Sequence, residues 1–491
     1  MAKTPAKTTP DSARGWLEHI LDPGWEPLFD DVVGGDPLSF PGYIQQLRRA
    51  RDQTESSESV VVADGAIGSI PIVAISFEFG FLGGSMGVAT GERICRAFDR
   101  AAADKVPVVA LTASGGARMQ EGMRALAQMP ATLAARRALA RARQPFICYL
   151  RNPTTGGVYA SFASSADLLW AEPGATIGFA GPRVAETVTG AALPEGSHTA
   201  EGAFDAALVD ELVEPADLRA RLTDALALLD GREVGVPSAT VSPEVDLERD
   251  PWELVSLARR PDRPTGTTYI EPALVLRRGG DNDAIRGGFM KVGAHTVVVI
   301  AQDARAGTGR PTPQSYRRAR HLIATAERLG LPIVTLVDTP GAEPGAEAER
   351  DGIAREISMT FEALLGATVP TVSCVVGEGG SGGALALAAC DRLLIQRDAI
   401  FSVIAPEGAA SILRRENLPD VARDLKLTAT DLLEVGIADR IVTEPASGAH
   451  SDHAAARAML GAALALAVDE AVVEGVPSKR RTARFRADLA P

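Results

Sequence analysis

The sequence predicts an α/β protein made of two tandem, homologous domains, and three observations carry that prediction. The first is an internal repeat. VPVVALTASGGARMQEG, starting at Val106, aligns with LPIVTLVDTPGAEPGAE, starting at Leu331, and Pro107 and Pro332 lie 225 residues apart. The run from Pro145, PFICYLRNPTTGGVYASFASSADLLWAEPGATIGFAGP, aligns with that from Pro370, PTVSCVVGEGGSGGALALAACDRLLIQRDAIFSVIAPEG. Pro182 and Pro406 then differ by 224, so the register holds to one residue over about 75 positions. Two copies are too few for a solenoid, which stacks several. The second observation is that short β-branched runs alternate with Ala/Leu/Arg-rich stretches, which implies βαβ crossovers and parallel or mixed sheets. The third is a pair of Gly-rich turns in each copy, every one following a strand and opening a helix.

Taken along the chain, residues 1–15 are polar, Lys- and Pro-containing, and read as a disordered tail, with order beginning near Trp16. A first domain spans 16–229. Within it 59–63, 70–78, 106–112 and 145–150 read as strands, and 91–103 and 122–142 as helices. Residues 230–250 carry Gly, Pro, Ser and charge without periodicity and mark a linker. A second domain spans 251–476, with strands at 296–301, 333–338 and 369–376 and a helix at 315–330. The basic end 477–491, PSKRRTARFRADLAP, reads as a solvated tail.

Composition narrows the function. A chain of 491 residues with 46% hydrophobic and 23% charged residues is ordinary globular usage. With 50 basic and 63 acidic residues the net charge is -13, and aromatics are only 5%, so nucleic-acid binding is not expected. Cys95, Cys148, Cys374 and Cys390 form no CxxC pair and lie in apolar runs, as buried free thiols of a reducing compartment do. No apolar run approaches membrane-spanning length and no signal peptide opens the chain, so the expected location is the cytoplasm and no membrane contact is expected.

The turns are SGGAR (114–118) and TGGVYASFA (155–163) in the first copy, TPGAEPG (339–345) and GEGGSGGALALA (377–388) in the second. Glycine lets backbone approach a ligand and take positive φ. A helix start leaves N–H groups unpaired at a positive dipole end, and two converging N–H groups make an oxyanion hole. Turns that only seat helix on strand would look the same singly, but four at matching places in a repeat point to a site.

SGGARMQEG, NPTTGGVYASFA and AEPGATIGFAGPR resemble the β subunit of the bacterial acetyl-CoA carboxylase carboxyltransferase family. LARRPDRP, DTPGAEPGAEAE, GEGGSGGALALA and SVIAPEGAASIL resemble its α subunit. The resemblance covers roughly residues 25–463, β then α, as if the subunits were fused. It implies a pair of crotonase-like (ClpP/crotonase) domains with ββα units, and transfer of a carboxyl group from N-carboxybiotin on a carrier protein to the α-carbon of an acyl-CoA. It further implies that Gly115, Gly116, Gly156 and Gly157 serve the acyl-CoA side, with Arg118 and Arg183 near the CoA phosphates. Gly341, Gly382, Gly383 and Ala384 would serve the carboxybiotin side. Both arginines also read as helix-start surface charges. The partners implied are biotin carboxyl carrier protein and biotin carboxylase, which alone consumes ATP. A homodimer or larger assembly is implied as well, in which the acyl-CoA domain of one copy faces the carboxybiotin domain of another. The four-cysteine zinc ribbon usual at the start of the β subunit is missing, so no zinc is expected. The stretch before PTPQSYRRARHL, from Pro311, is shorter than in the α subunit.

Other readings stand beside this one. A malonate decarboxylase-type enzyme shares the architecture, and a catalytically idle scaffold would not need four intact turns. GGSGG formally matches a G-x-S-x-G elbow with Ser381 as nucleophile and Asp439 and His450 following in hydrolase order, although no HGGG-like stretch precedes it. His450, Asp452 and His453 are too few, without further placed ligands, for a metal site.

Overall fold

A computed structural model describes residues 9–230, 249–270, 274–276, 283–476, 479–483 and 485. The chain separates into two compact units, Met1–Asp230 and Gly231–Pro491. The expected linker lies outside the described residues except at its two ends. So does the tail up to residue 8, but a helix Ala13–Ile20 begins inside the segment expected to be disordered, capped by the Ser12 side chain, which accepts the Gly15 N–H.

The first unit holds one sheet of strands β1 (Glu26–Leu28), β2 (Val60–Ile67), β3 (Ile70–Phe77), β4 (Val108–Ser114), β5 (Phe146–Thr155), β6 (Leu168–Ala171), β7 (Ile177–Gly178) and β8 (Glu211–Leu212). Their order is β1-β2-β3-β4-β5-β6-β8, with β7 paired to the far end of β5. The β1–β2 and β2–β3 pairs are antiparallel and all others parallel. The two-residue connection of the β2–β3 hairpin, Gly68 and Ser69, has positive φ at both positions, the geometry that matches strand twist. The second unit repeats the plan with β9 (Leu274–Leu276), β10 (Ile285–Val292), β11 (His295–Gln302), β12 (Ile333–Thr339), β13 (Thr371–Gly380), β14 (Arg392–Gln396), β15 (Ile400–Ser402) and β16 (Arg440–Val442), ordered β16-β14-β13-β12-β11-β10-β9.

The structure lengthens the repeat. β2 and β10, β3 and β11, β4 and β12, and β5 and β13 are displaced by 225 residues at both ends. The helix pairs Val88–Asp104 with Pro313–Leu329, and Gln128–Arg141 with Ile353–Gly366, are displaced by the same amount. β10 had no counterpart in the sequence reading because Gly287 and Gly288 interrupt its β-branched pattern. Gly287 is required there: a Cβ would lie 2.3 Å from Val299 O and 2.6 Å from Leu322 of the helix packed on the sheet. The single helix expected over 122–142 is interrupted at Ala127, between Gly122–Leu126 and Gln128–Arg141. Pro130 has no N–H to give the carbonyl four residues back.

Parallel strands buried on both faces read as continuous apolar runs. Val108, Val109, Ala110 and Leu111 of β4, and Ile333 and Val334 of β12, are fully buried. Phe98 and Phe146 meet edge to face at 5.1 Å in the first core. Cys148, Cys374 and Cys390 are buried and Cys95 is only half-buried, and none of the four is in a disulfide. No helix among the described residues is long and apolar enough to cross a membrane.

The basic end departs from the expected solvated tail. Arg481, in the short helix Lys479–Ala483, is 1% exposed and pairs with Asp391, while its Nη2 donates to Val369 O at 3.0 Å. Its role is intelligible from the repeat. In the first unit Asp167 accepts the Phe146 N–H at 2.8 Å and is held by Arg136 at 2.9 Å. Asp391 accepts the matching Thr371 N–H at 2.9 Å. The position matching Arg136 is Phe361, and the C-terminal helix brings the missing guanidinium back.

Candidate active site

Each unit joins its two Gly-rich turns backbone to backbone. In the first, the β4–β5 register shifts between Thr112 and Ser114, and the Ser114 hydroxyl accepts the Gly116 N–H at 3.0 Å. Gly116 has φ +113° and Gly156 φ +64°. A Cβ on Gly156 would lie 2.8 Å from Gly116 Cα, so both positions admit only glycine. Gly115 N donates to Gly83 O at 2.9 Å, Met86 N to Gly116 O at 2.8 Å and Arg118 N to Met86 O at 3.0 Å, which pins the turn to the loop before the helix Val88–Asp104. Gly157 follows in the first turn of the helix Gly156–Tyr159, where N–H groups have no intrahelical acceptor.

The second unit reproduces this with different side chains. The register shifts between Val337 and Thr339, and the Thr339 hydroxyl accepts the Gly341 N–H at 3.2 Å. Gly341 has φ +131°. A Cβ on Gly383 would lie 2.4 Å from Ala342 N and 3.0 Å from Tyr316 Oη. Tyr316 Oη and Gln302 Nε2 both donate to Gly383 O, at 2.9 and 3.2 Å. Next to Gly382 the space is open, with nothing within 4 Å of where its Cβ would stand. Ala384 is fully buried and offers only backbone. Neither Gly382 nor Gly383 has positive φ; Ser381, at φ +56°, takes the left-handed place that Gly156 holds in the first unit.

The two arginines separate. Arg183 is exposed on the helix Pro182–Thr189. Arg118 corrects the expectation of a phosphate contact: it is 1% exposed, and its guanidinium donates to Glu58 Oε1 at 2.5 Å, Glu121 Oε1 and Tyr43 Oη at 3.2 Å, and Ser85 O at 2.8 Å. Burial opposes its charge, and the Glu58 carboxylate more than offsets this, so its pKa stands above the ordinary arginine value. All its donors are directed inward, and what it grips is the turn itself.

Sequence reasoning missed Gln302, Tyr316 and a cavity of about 130 Å³ beside the second turn, lined by Arg259, Arg263, Arg305, Asp338, Pro340 and Glu378 among others. Arg259 pairs with Glu378 at 2.7 Å and Arg263 with Glu444 at 2.7 Å. Asp338 is 3% exposed and accepts the Glu378 N–H at 3.2 Å. The only sequence signal was an acid ending the apolar run IVTLVD. Burial pushes its pKa up to about 7, with the Glu378 N–H pulling the other way. The unfolded chain holds this proton only below about pH 4. Between those values folding takes up a proton, and stability falls as the pH rises. Asp338→Asn therefore raises the melting temperature by a few degrees at pH 8 and leaves it unchanged near pH 4, by calorimetry across that range. A uniform shift at all pH values would contradict this account.

The comparisons decide the family. Residues 239–487 match a family model described as acetyl co-enzyme A carboxylase carboxyltransferase-like, and residues 36–206 match one described as a carboxyl transferase domain. A Salinispora tropica protein, the acetyl-coenzyme A carboxylase carboxyl transferase subunits beta/alpha, is 42% identical over 96% of this chain and 89% of its own. The chain belongs to the acetyl-CoA carboxylase carboxyltransferase family. The correspondingly named Clostridium tetani carboxyltransferase is 36% identical over 88% of this chain and 79% of its own. A transcarboxylase 12S crystal structure, with methylmalonyl-coenzyme A bound, matches at a TM-score of 0.74 and 21% identity over 94% of this chain and 90% of that one. The fold of this carboxyltransferase is thus crotonase-like in both halves. No hydrogen bond joins Ser381 to His450 among the described residues, and Asp439 accepts the Leu393 N–H at 2.7 Å, so the hydrolase reading finds no assembled triad.

Proposed function

We propose that this protein is the carboxyltransferase component of a biotin-dependent acyl-CoA carboxylase, with acetyl-CoA as substrate and malonyl-CoA as product. The observation that carries the reading is the duplicated turn: a hydroxyl-braced glycine with positive φ packed against a second Gly-rich helix start, once in each unit. Carboxyl transfer develops negative charge on two oxygens, that of the acyl thioester enolate and that of the biotin ureido group. Two separate sets of backbone donors answer that need without a titrating side chain. In the first unit the Gly116 N–H is taken by the Ser114 hydroxyl, so the donor offered to the thioester oxygen is the N–H of Gly157, in the first turn of its helix beside Gly116. In the second, the open space beside Gly382 and the Gly383 floor fixed by Tyr316 suit a flat ureido ring. Carboxybiotin supplies an activated carboxyl group and, once relieved of it, an acceptor for the α-proton. Two arginines of the cavity beside Asp338, Arg259 and Arg263, are held in ion pairs, which supports a structural rather than a phosphate-binding role for them.

The same reading assigns a biotin carboxyl carrier protein and an ATP-consuming biotin carboxylase as partners, a homodimer or larger assembly, and a cytoplasmic location. The test is fixation of radiolabelled bicarbonate with the biotinylated carrier, biotin carboxylase and a panel of acyl-CoAs. Labelled malonyl-CoA is the expected product. Decarboxylation of malonyl-CoA with no label fixed into any acyl-CoA would replace this reading with that of a decarboxylase.

A further inference from the structure

The two turns share one backbone frame but carry different side chains, and one of the differences falls at a left-handed position. Gly156 and Ser381 are repeat mates, both in the left-handed region, at φ +64° and +56°. In the first unit a side chain there is impossible, since a Cβ would strike Gly116 Cα at 2.8 Å. The second unit leaves room and fills it with serine, although glycine would take this backbone without strain. Ser381 is exposed, and its hydroxyl has no hydrogen-bond partner among the described residues. Directly next to it is the open space at Gly382. A left-handed residue whose exposed hydroxyl no described protein group engages, adjacent in the chain to the open space at Gly382, is positioned for contact with a ligand in the proposed site. The side chain is not there for packing, and it does not brace the turn, which Thr339, Tyr316 and Gln302 already do.

We infer that Ser381 is a ligand-binding residue of the second unit, its hydroxyl donating a hydrogen bond to an oxygen of the carboxylated ureido ligand seated beside Gly382. The inference rests on the carboxyltransferase reading. It gives the two half-sites different chemistries from one duplicated frame. The first accepts its ligand on bare backbone, and the second adds one hydroxyl donor that discriminates ligands offering an oxygen at that point. Ser381 attacks nothing in this scheme, and no covalent intermediate forms on it.

Ser381→Ala and Ser381→Gly separate hydroxyl from backbone. Both lose the donor, but only glycine relieves the left-handed strain. Malonyl-CoA-dependent carboxylation of free biocytin is measured for the wild type and both variants, alongside thermal melting. A wild type without this activity refutes the carboxyltransferase reading, and the inference falls with it. With an active wild type, both variants are expected to lose about three- to tenfold in kcat/KM for biocytin, the scale of one lost hydroxyl hydrogen bond, with KM for malonyl-CoA unchanged. Both should melt no more than about 2 °C below the wild type. Activity within twofold of wild type in both variants would overturn the inference. So would a loss confined to glycine, which would place the role in the backbone, or a loss beyond a thousandfold in both, which would make Ser381 a nucleophile.

Discussion

Gly383→Val lowers kcat for malonyl-CoA-dependent carboxylation of biocytin by a hundred- to a thousandfold, the scale of a lost oxyanion-hole donor. The cause is steric and specific. The first atom of the new side chain would sit 2.4 Å from Ala342 N, and the obstacle is backbone that cannot swing aside. The turns 339–345 and 377–388 must then separate, which breaks the Tyr316 and Gln302 hydrogen bonds to Gly383 O and re-aims the neighbouring N–H groups. Gly382→Val has a different signature. Its backbone has no positive φ to lose and its Cβ meets nothing within 4 Å, so the protein folds normally and the valine stands in the space proposed for the ligand. There the expected change is a rise in KM for biocytin of about tenfold or more, with kcat less affected, since one bulky group obstructs ground state and transition state alike. Steady-state kinetics on the two variants separates the cases. A Gly383→Val enzyme with wild-type kcat would remove the second turn from the catalytic machinery.

What the sequence made legible was whatever repeats or recurs locally. The sequence located four strands and two helices in the first half, three strands and one helix in the second, and both turns in each, because the same spacing of apolar runs and glycines builds the same crossovers. Glycine pairs marked where backbones meet, although the reason differs from site to site. Gly116 and Gly156 are excluded from bearing side chains by each other, Gly383 by Ala342, and Gly382 by nothing within 4 Å. Illegible were contacts whose partners lie far apart in the chain. Glu58 and Arg118 are separated by 60 residues, Asp391 and Arg481 by 90, and no local pattern announces either pair. A buried arginine and a phosphate-binding arginine also look identical as letters. Asp338 was hidden because its raised pKa is a property of its burial, which no neighbouring residue in sequence reveals.

Arg118 supplies the sharpest contrast between a reading by motif and one by geometry. If it bound CoA phosphates, Arg118→Met would raise KM for the acyl-CoA and leave folding alone. The structure predicts the opposite emphasis. The guanidinium is enclosed by Glu58, Glu121, Tyr43 and Ser85, and its removal strands two carboxylates in a place that water does not reach. Glu58 would keep only the Ser59 N–H and Glu121 the Val88 N–H and Tyr43 hydroxyl, too little for two buried charges. Breaking a buried pair by deleting one partner costs about 3–5 kcal/mol, on the order of 10 °C in melting temperature for a unit of this size. Arg118→Lys keeps the charge but lacks the planar fork that reaches Glu58, Tyr43 and Ser85 together, so it should recover only part of that loss. Because Arg118 N and Gly116 O are tied to Met86, kcat should fall in step with the loosening of the turn. Calorimetry and steady-state kinetics on Arg118→Met decide the matter. An unchanged melting temperature with a tenfold rise in KM for acyl-CoA would return Arg118 to the substrate and overturn its assignment as the clamp of the first turn.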